Sequence, residues 1–339
     1  MRLTQSHRTL PLDACTSKAR FPDLATDGYT SLKIFLSSEQ FDTHCQVYLR
    51  AMRLAAQHGV LTMLHCEDGA LIRYLYRELT AGGFAVRHFP DARPTYTEAA
   101  AVDRAVAFAR ATGAPIYIVH LSSAAALDSC RRARADGVPV YVETRPIYLY
   151  LTREVFDQPD SAKYIGHPPL REGIDAKALW HGLRSGDVQC VCSDHAPWML
   201  HQKLDSSLNL TTLRPGIAEL ETQIPMLYSE GVRSGRISLS RFVESTSTNA
   251  AKLFGMYPQK GTIAIGSDAD LIVWDPEARW TIDGSTMQSK VDYSVYDGRE
   301  VCGKPIFTIS RGEVVLEDGH VTARRGRGRL VRRSQTMGL

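Results

Sequence analysis

The chain has 339 residues, 44% of them hydrophobic and 23% charged, with a formal net charge of +3. That length allows a large domain with a sizeable core and an appendage, and the composition is that of an ordinary globular protein. So small a net charge gives no argument for nucleic acid as the main partner, and none is expected.

No apolar leader and no long apolar span is present, and the seven cysteines lack zinc-type Cys-x-x-Cys spacing. A cytoplasmic protein with reduced thiols and no membrane partner is therefore expected. In chain order, residues 1–20 carry no pattern and no assigned role. Five β-rich apolar runs follow: "SLKIFL" (31–36), "VLTMLHC" (60–66), "PIYIVHL" (115–121), "PVYVET" (139–144) and "VQCVCS" (188–193). Between them lie "DTHCQVYLRAMRLAAQHG", "GALIRYLYRELTAGG", "TEAAAVDRAVAFARATG" and "SAAALDSCRRARADG", which have helical apolar spacing and end in glycine. Strand–helix alternation of this kind predicts an α/β fold with a parallel sheet. Residues 198–215 have no clear period and read as a long loop of the sort that covers a site. From 259 to 322 apolar and polar residues alternate between glycine turns, which predicts a small antiparallel, sandwich-like portion. Six arginines in "ARRGRGRLVRR" (323–333) make residues 323–339 a basic, solvated tail.

Three of the strand runs carry a polar residue where an apolar one belongs: Lys33, His65 and His120. The fifth leads directly into Asp194. In a parallel α/β barrel the C-terminal ends of the strands are where active-site groups converge. Two histidines and a carboxylate in one mouth suit a zinc- or manganese-type divalent ion. Desolvation lowers a lysine pKa, and the neutral amine of Lys33 could take up CO2 to become a carbamate, an anionic oxygen ligand. The simpler alternative is a lysine that snorkels to the mouth or pairs with Asp194.

These residues, together with "GYTSLKIF", "LHCEDGALI", "PIYIVHLSS", "VYVETRPIYLYL", "PPLR", "VCSDHAPW", "LETQIPMLYSEGV" and "STSTNAAKLFGMYPQKGTIAIGSDADLIVWDP", resemble the cyclic amidohydrolases, most closely their dihydropyrimidinase/hydantoinase group. The resemblance implies a TIM-type barrel with a small β-sandwich, a homo-oligomer (often a tetramer), and hydrolytic opening of a cyclic amide or imide ring. It implies that a carboxylated Lys33 bridges two divalent ions of the zinc type, that His65 and His120 hold the more exposed ion, and that Asp194 holds the other and shuttles the proton. It also breaks in two places. No His-x-His pair occurs anywhere in the chain, and the match begins near the fourth barrel strand. A partial barrel of about five strands, spanning 21–258, is thus expected in a truncated or mis-started chain. His7, a lone histidine in the first segment, is not expected to ligate. The substrate-facing positions differ too: Ser38 stands where the family has tyrosine, His167 where it has serine, and about Pro215 where it has asparagine.

Ser38, His167, Arg171 and His195 are the candidate substrate-binding residues. Arg145 and Tyr148 either line the pocket or, for Arg145, pair with Glu143. Glu67 and Asp68 read as loop or helix-cap residues. Two alternatives stand beside the ring-opening hydrolase: a non-catalytic homologue or fragment, and a hydrolase with allantoinase- or dihydroorotase-like ring specificity.

Overall fold

The computed structural model describes residues 20–83 and 85–339, so residues 1–19, with His7 and Cys15, lie outside it. Helix α1 (Arg20–Thr26) leads into strand β1 (Ser31–Phe35), and α2 (Glu39–Thr43) and α3 (Cys45–Gln57) carry the chain to β2 (Leu61–His65). Then come α4 (Gly69–Ala81), α5 (Thr95–Thr112), β3 (Ile116–Ile118), α6 (Ala124–Ala135), β4 (Val140–Thr144), α7 (Pro146–Tyr150), α8 (Gly173–Ser185) and β5 (Cys190–Val191). All five strands pair in parallel in sequence order. Each apolar run of the sequence therefore became a strand, shortened by a residue or more at its ends.

Local chemistry sets the helix limits. The Asp68 carboxylate accepts from Leu71 N–H to cap α4, and Ser123 does the same for α6 through Ala126. Helix α5 stops at Gly113, which takes the left-handed conformation (φ 72°) that a side chain disfavours.

Alternation along the strands sorts side chains to two faces. Leu32, Ile34, Leu64, Ile118 and Val142 join the main core beneath the helices. Leu61, Met63, Tyr117, Val119 and Cys190 form a second cluster on the other face, packed against Ala251, Leu253, Phe254 and Met256. Lys33 lies level with Met63, and His65 is two residues beyond Met63, so both belong to this second face.

The chain continues through α9 (Leu200–Lys203), α10 (Gln223–Leu227), α11 (Leu239–Val243) and α12 (Asn249–Leu253). It ends in an antiparallel sheet, β6 (Leu271–Thr281), β7 (Glu300–Ser310), β8 (Glu313–Glu317) and β9 (His320–Val321), in that order. The described residues thus form one parallel and one antiparallel sheet. Six cysteines among them are free thiols, as expected. No described helix is long and apolar enough to cross a membrane.

The tail differs from the solvated segment its charge suggests. Val331 packs into the second cluster, and the Arg333 guanidinium lies over Phe254 and donates to Ser31 Oγ (3.1 Å) and the Gly28 carbonyl. Ser334 N–H donates to the Gly255 carbonyl at 2.8 Å, and Met337 N–H to that of Lys252. Gly255 is required here: a Cβ at this position would stand 1.8 Å from the Ser334 carbonyl oxygen. Charge alone does not predict solvation, because arginine stems pack well and their heads can end on backbone carbonyls.

Candidate metal centre

The polar residues collect where the parallel strands end. His65 closes β2, and His120 lies two residues beyond β3. Glu143 is the penultimate residue of β4, and Asp194 follows β5 by three positions. His120 and Asp194 both hold a positive φ (41° and 44°), which side chains normally avoid. Non-glycine residues in this region cluster where function holds them.

His65 Nδ1 and His120 Nε2 stand 2.9 Å apart, their rings edge to face. The other nitrogen of His65, Nε2, lies 2.8 Å from Glu67 Oε2. Glu67 is fully buried and receives Arg93 Nη1 at 2.6 Å, while Arg93 Nε donates to the Tyr76 hydroxyl. Burial alone would raise the Glu67 carboxyl, but Arg93 and His65 outweigh it and hold it well below the usual carboxylate range. An ionised Glu67 only accepts, so His65 Nε2 carries the proton and Nδ1 presents its lone pair toward His120. Burial holds both imidazoles below their ordinary value, and for His120 the neighbouring His65, Lys33 and Arg145 push further down. Both rings are therefore neutral, the form that ligates.

The pair fits a zinc-type ion. Two nitrogens on one tetrahedral zinc, each about 2.0–2.1 Å from it, stand about 3.3 Å apart, close to the separation seen. A ligating histidine whose second nitrogen is held by a carboxylate is the usual supporting arrangement, and Glu67 supplies it. His120 Nδ1 has no hydrogen-bond partner among the described residues. Among those residues, no three His, Cys, Asp or Glu side chains are close enough to hold an ion between them. A third donor has to come from another group, and Lys33 is the neighbour with the right chemistry. Burial lowers its amine to about 8, against the opposing pull of Glu143 and Asp194.

The remaining candidates are spread around this pair. Asp194 is half exposed, and its Oδ2 receives Arg145 Nη1 at 3.4 Å. Ser38 lies in the turn before α2 without a side-chain cap bond. His167 stacks on Phe89, and burial and Arg93 push it down to about 3. His195 Nδ1 accepts from Leu220 N–H, and the backbone beside it bridges to Ile217. Arg171 is buried, with Nε on Ser122 Oγ, Nη1 on the Arg93 carbonyl and Nη2 3.8 Å from Glu98. It braces the wall behind the histidines. The aperiodic loop 198–215 is pinned by Lys203, whose buried ammonium donates to the carbonyls of Ile165, Arg214 and Gly216 at 2.7–2.8 Å.

Two residues carry more than the sequence reading assigned them. Glu67 is a buried partner of His65; its offset of two from a strand-end histidine, which places both on one side of an extended chain, was the available signal. Arg145 pairs with Glu219, and Glu143 instead accepts from the Tyr117 hydroxyl (2.7 Å) and from His120 N–H.

Residues 29–315 match the model of the amidohydrolase family. A D-hydantoinase of Rhizobium radiobacter is 41% identical over 303 residues, covering 88% of this chain and 65% of that protein. A D-hydantoinase of Ralstonia pickettii is 39% identical over 317 residues, covering 92% and 68%. Among solved structures, the D-hydantoinase (dihydropyrimidinase) from Thermus sp. superposes with a TM-score of 0.91 at 37% identity, over 95% of this chain and 71% of that one. The L-hydantoinase (dihydropyrimidinase) from Arthrobacter aurescens gives 0.86 at 30% identity, over 93% and 71%. The chain spans about two thirds of the length of these relatives. With the match covering most of its described residues and its relatives being hydantoinases, this chain belongs to the amidohydrolase family.

Proposed function

We propose that the chain carries a metal-dependent hydrolase site that opens a cyclic amide or imide ring, of the hydantoin or dihydropyrimidine type. One observation carries this: His65 Nδ1 and His120 Nε2 converge at the strand ends with Glu67 and Arg93 locked behind them. Kinship with hydantoinases supports the ring class. In this reading the five strands are the arc of a TIM-type barrel within 21–258, and 259–322 is the small β portion.

Members of the family generally use a divalent ion, and zinc suits two neutral imidazoles. His65, His120 and a carboxylated Lys33 would hold it, and when bound it supplies a Lewis acid for the ring carbonyl and a lowered water pKa. Asp194, half exposed at the mouth, accepts the proton of the attacking water and delivers it to the departing ring nitrogen. Ser38, His167 and His195 bound the space for the ring. Water adds across one C–N bond, leaving a carboxylate and an open-chain amide.

The test is a ring-opening assay on the purified chain supplied with zinc and bicarbonate, using a 5-substituted hydantoin, dihydrouracil, allantoin and dihydroorotate. Chelator-reversible opening of at least one ring is expected. Bound zinc with no opening of any of them would sink the proposal.

The lysine makes a separate prediction. With its amine lowered to about 8, roughly a tenth is neutral at pH 7, against well under a thousandth for an exposed lysine. In the zinc-loaded chain with 13C-labelled bicarbonate, a carbamate carbon resonance should grow as the pH rises from 6 to 8.5. It should be missing from Lys33→Met. A signal that persists in that variant would remove Lys33 from the site.

A further inference from the structure

Lys203, the last residue of α9, is 2% exposed, and no carboxylate pairs with it among the described residues. A lysine this deep is almost always matched to an acid. Here burial disfavours the charge and Arg145 repels it, and three backbone carbonyls hold it instead. Nζ donates to Ile165 at 2.7 Å and to Arg214 and Gly216 at 2.8 Å each. An ammonium carries three donors, and all three are used.

The three acceptors come from two stretches that flank candidate substrate residues. Ile165 lies two positions before His167, and its carbonyl also accepts from Gly216 N–H at 3.0 Å. The other stretch runs on to Ile217, which bridges to His195 and accepts from Ala196 N–H at 3.1 Å. The Pro215 carbonyl within it accepts from Trp198 Nε1 at 3.0 Å. Gly216 permits this approach: its φ is 129°, and a Cβ there would stand 2.5 Å from the Ala196 carbonyl oxygen. Lys203 thus bonds both stretches at once, and His65, His120, Glu67 and Arg93 are not among its partners.

Resting on the hydrolase reading above, we propose that Lys203 is a positioning residue for the ring substrate: by tying Ile165 to Arg214 and Gly216 it fixes His167 and His195 at the spacing that receives the ring. An uncharged replacement removes three bonds at one node. The two sides of the space then drift apart, while the histidine pair at the strand ends keeps its place. Binding of the ring suffers and the chemical step does not.

The test compares the full-length parent with Lys203→Met, which keeps the length of the side chain and loses its donors. Hydrogen exchange should quicken at least tenfold in peptides covering 196–198 and 214–217 and stay unchanged in β2 to β4. With the ring that the parent opens best, KM should rise at least tenfold, while kcat stays within threefold and zinc affinity within twofold. In Lys203→Ala, n-propylammonium should restore KM, and tetramethylammonium, which has no N–H to donate, should not. A fall in kcat or zinc affinity as large as the rise in KM would make Lys203 a general support of the fold and overturn the proposal. Should Lys203→Met not fold, Trp198→Phe takes its place by removing only the indole bond to the Pro215 carbonyl, with KM about threefold higher and kcat unchanged. A parent that opens no ring sinks the hydrolase reading and this inference with it. An active parent whose variants keep the parental KM sinks this inference alone.

Discussion

His120→Gly is expected to abolish ring opening while leaving the unfolding midpoint within about 3 °C of the parent. The activity loss follows from removing one of two converging imidazoles. The ion's contribution to transition-state stabilisation is several kcal/mol, and at about 1.4 kcal/mol per factor of ten the rate should fall by about four orders of magnitude. Stability behaves differently because the backbone at this position is strained. A φ of 41° costs a side-chain-bearing residue about 1–2 kcal/mol, and glycine is spared that cost. The histidine is also buried with one ring nitrogen unpaired, so its removal relieves a desolvation penalty. Against these gains stand the lost contact with His65 and the space left by the ring. The backbone bond from residue 120 to Glu143 remains. Thermal unfolding followed by circular dichroism, alongside the ring-opening assay, decides it. A midpoint lower by 10 °C, or activity within tenfold of the parent, contradicts the argument.

Glu67→Ala should damage both fold and site. Removing the carboxylate leaves Arg93 buried without its counter-ion, and breaking one side of a buried pair costs about 3–5 kcal/mol. The same change frees His65 to rotate, and losing a carboxylate behind a ligating histidine weakens metal affinity about 10–100-fold. Denaturant unfolding measures the first effect and zinc titration below the unfolding transition the second. Combining Glu67→Ala with Arg93→Met should recover much of the stability and none of the affinity, which separates the two effects. A stability loss under about 1 kcal/mol would mean Arg93 finds another partner. The pH dependence has a definite sign. The Glu67 pKa is lowered in the folded state, so its contribution is complete above the ordinary value of 4.5 and fades only as the pH falls toward the lower folded value. The parent should therefore keep this part of its stability through mildly acidic conditions.

The five strands were legible because parallel strands buried on both faces are short and apolar throughout, and the pattern shows them without reference to distant residues. The same property exposed the site. Lys33, His65 and His120 are conspicuous against apolar neighbours, and two of the three converge directly. What stayed hidden was pairing at a distance. Glu67 meets Arg93 26 positions away, and Arg145 meets Glu219 74 positions away across an aperiodic loop. No local pattern encodes such pairs, since each ion looks like a surface residue until the fold buries it. The basic tail misled in part for the converse reason: Arg324, Arg325, Arg329 and Arg332 are exposed as their charge suggests, yet Arg333 ends on the Gly28 carbonyl and over Phe254, and Arg327 on the Ser310 carbonyl.

That docked tail has a consequence for how the molecule is made and lost. Arg333 contacts Ser31 and Gly28 across 302 and 305 positions, and Gln335 reaches His58 across 277. Contacts so remote in sequence close very large loops, and their entropy cost is recovered only once the sheet beneath them exists. They are therefore expected to form late, after the folding transition state. Loosening them, as Gly255→Ala would, should leave the folding rate almost untouched and raise the unfolding rate. The last residues act as a latch on the lifetime of the native state rather than as part of the path to it.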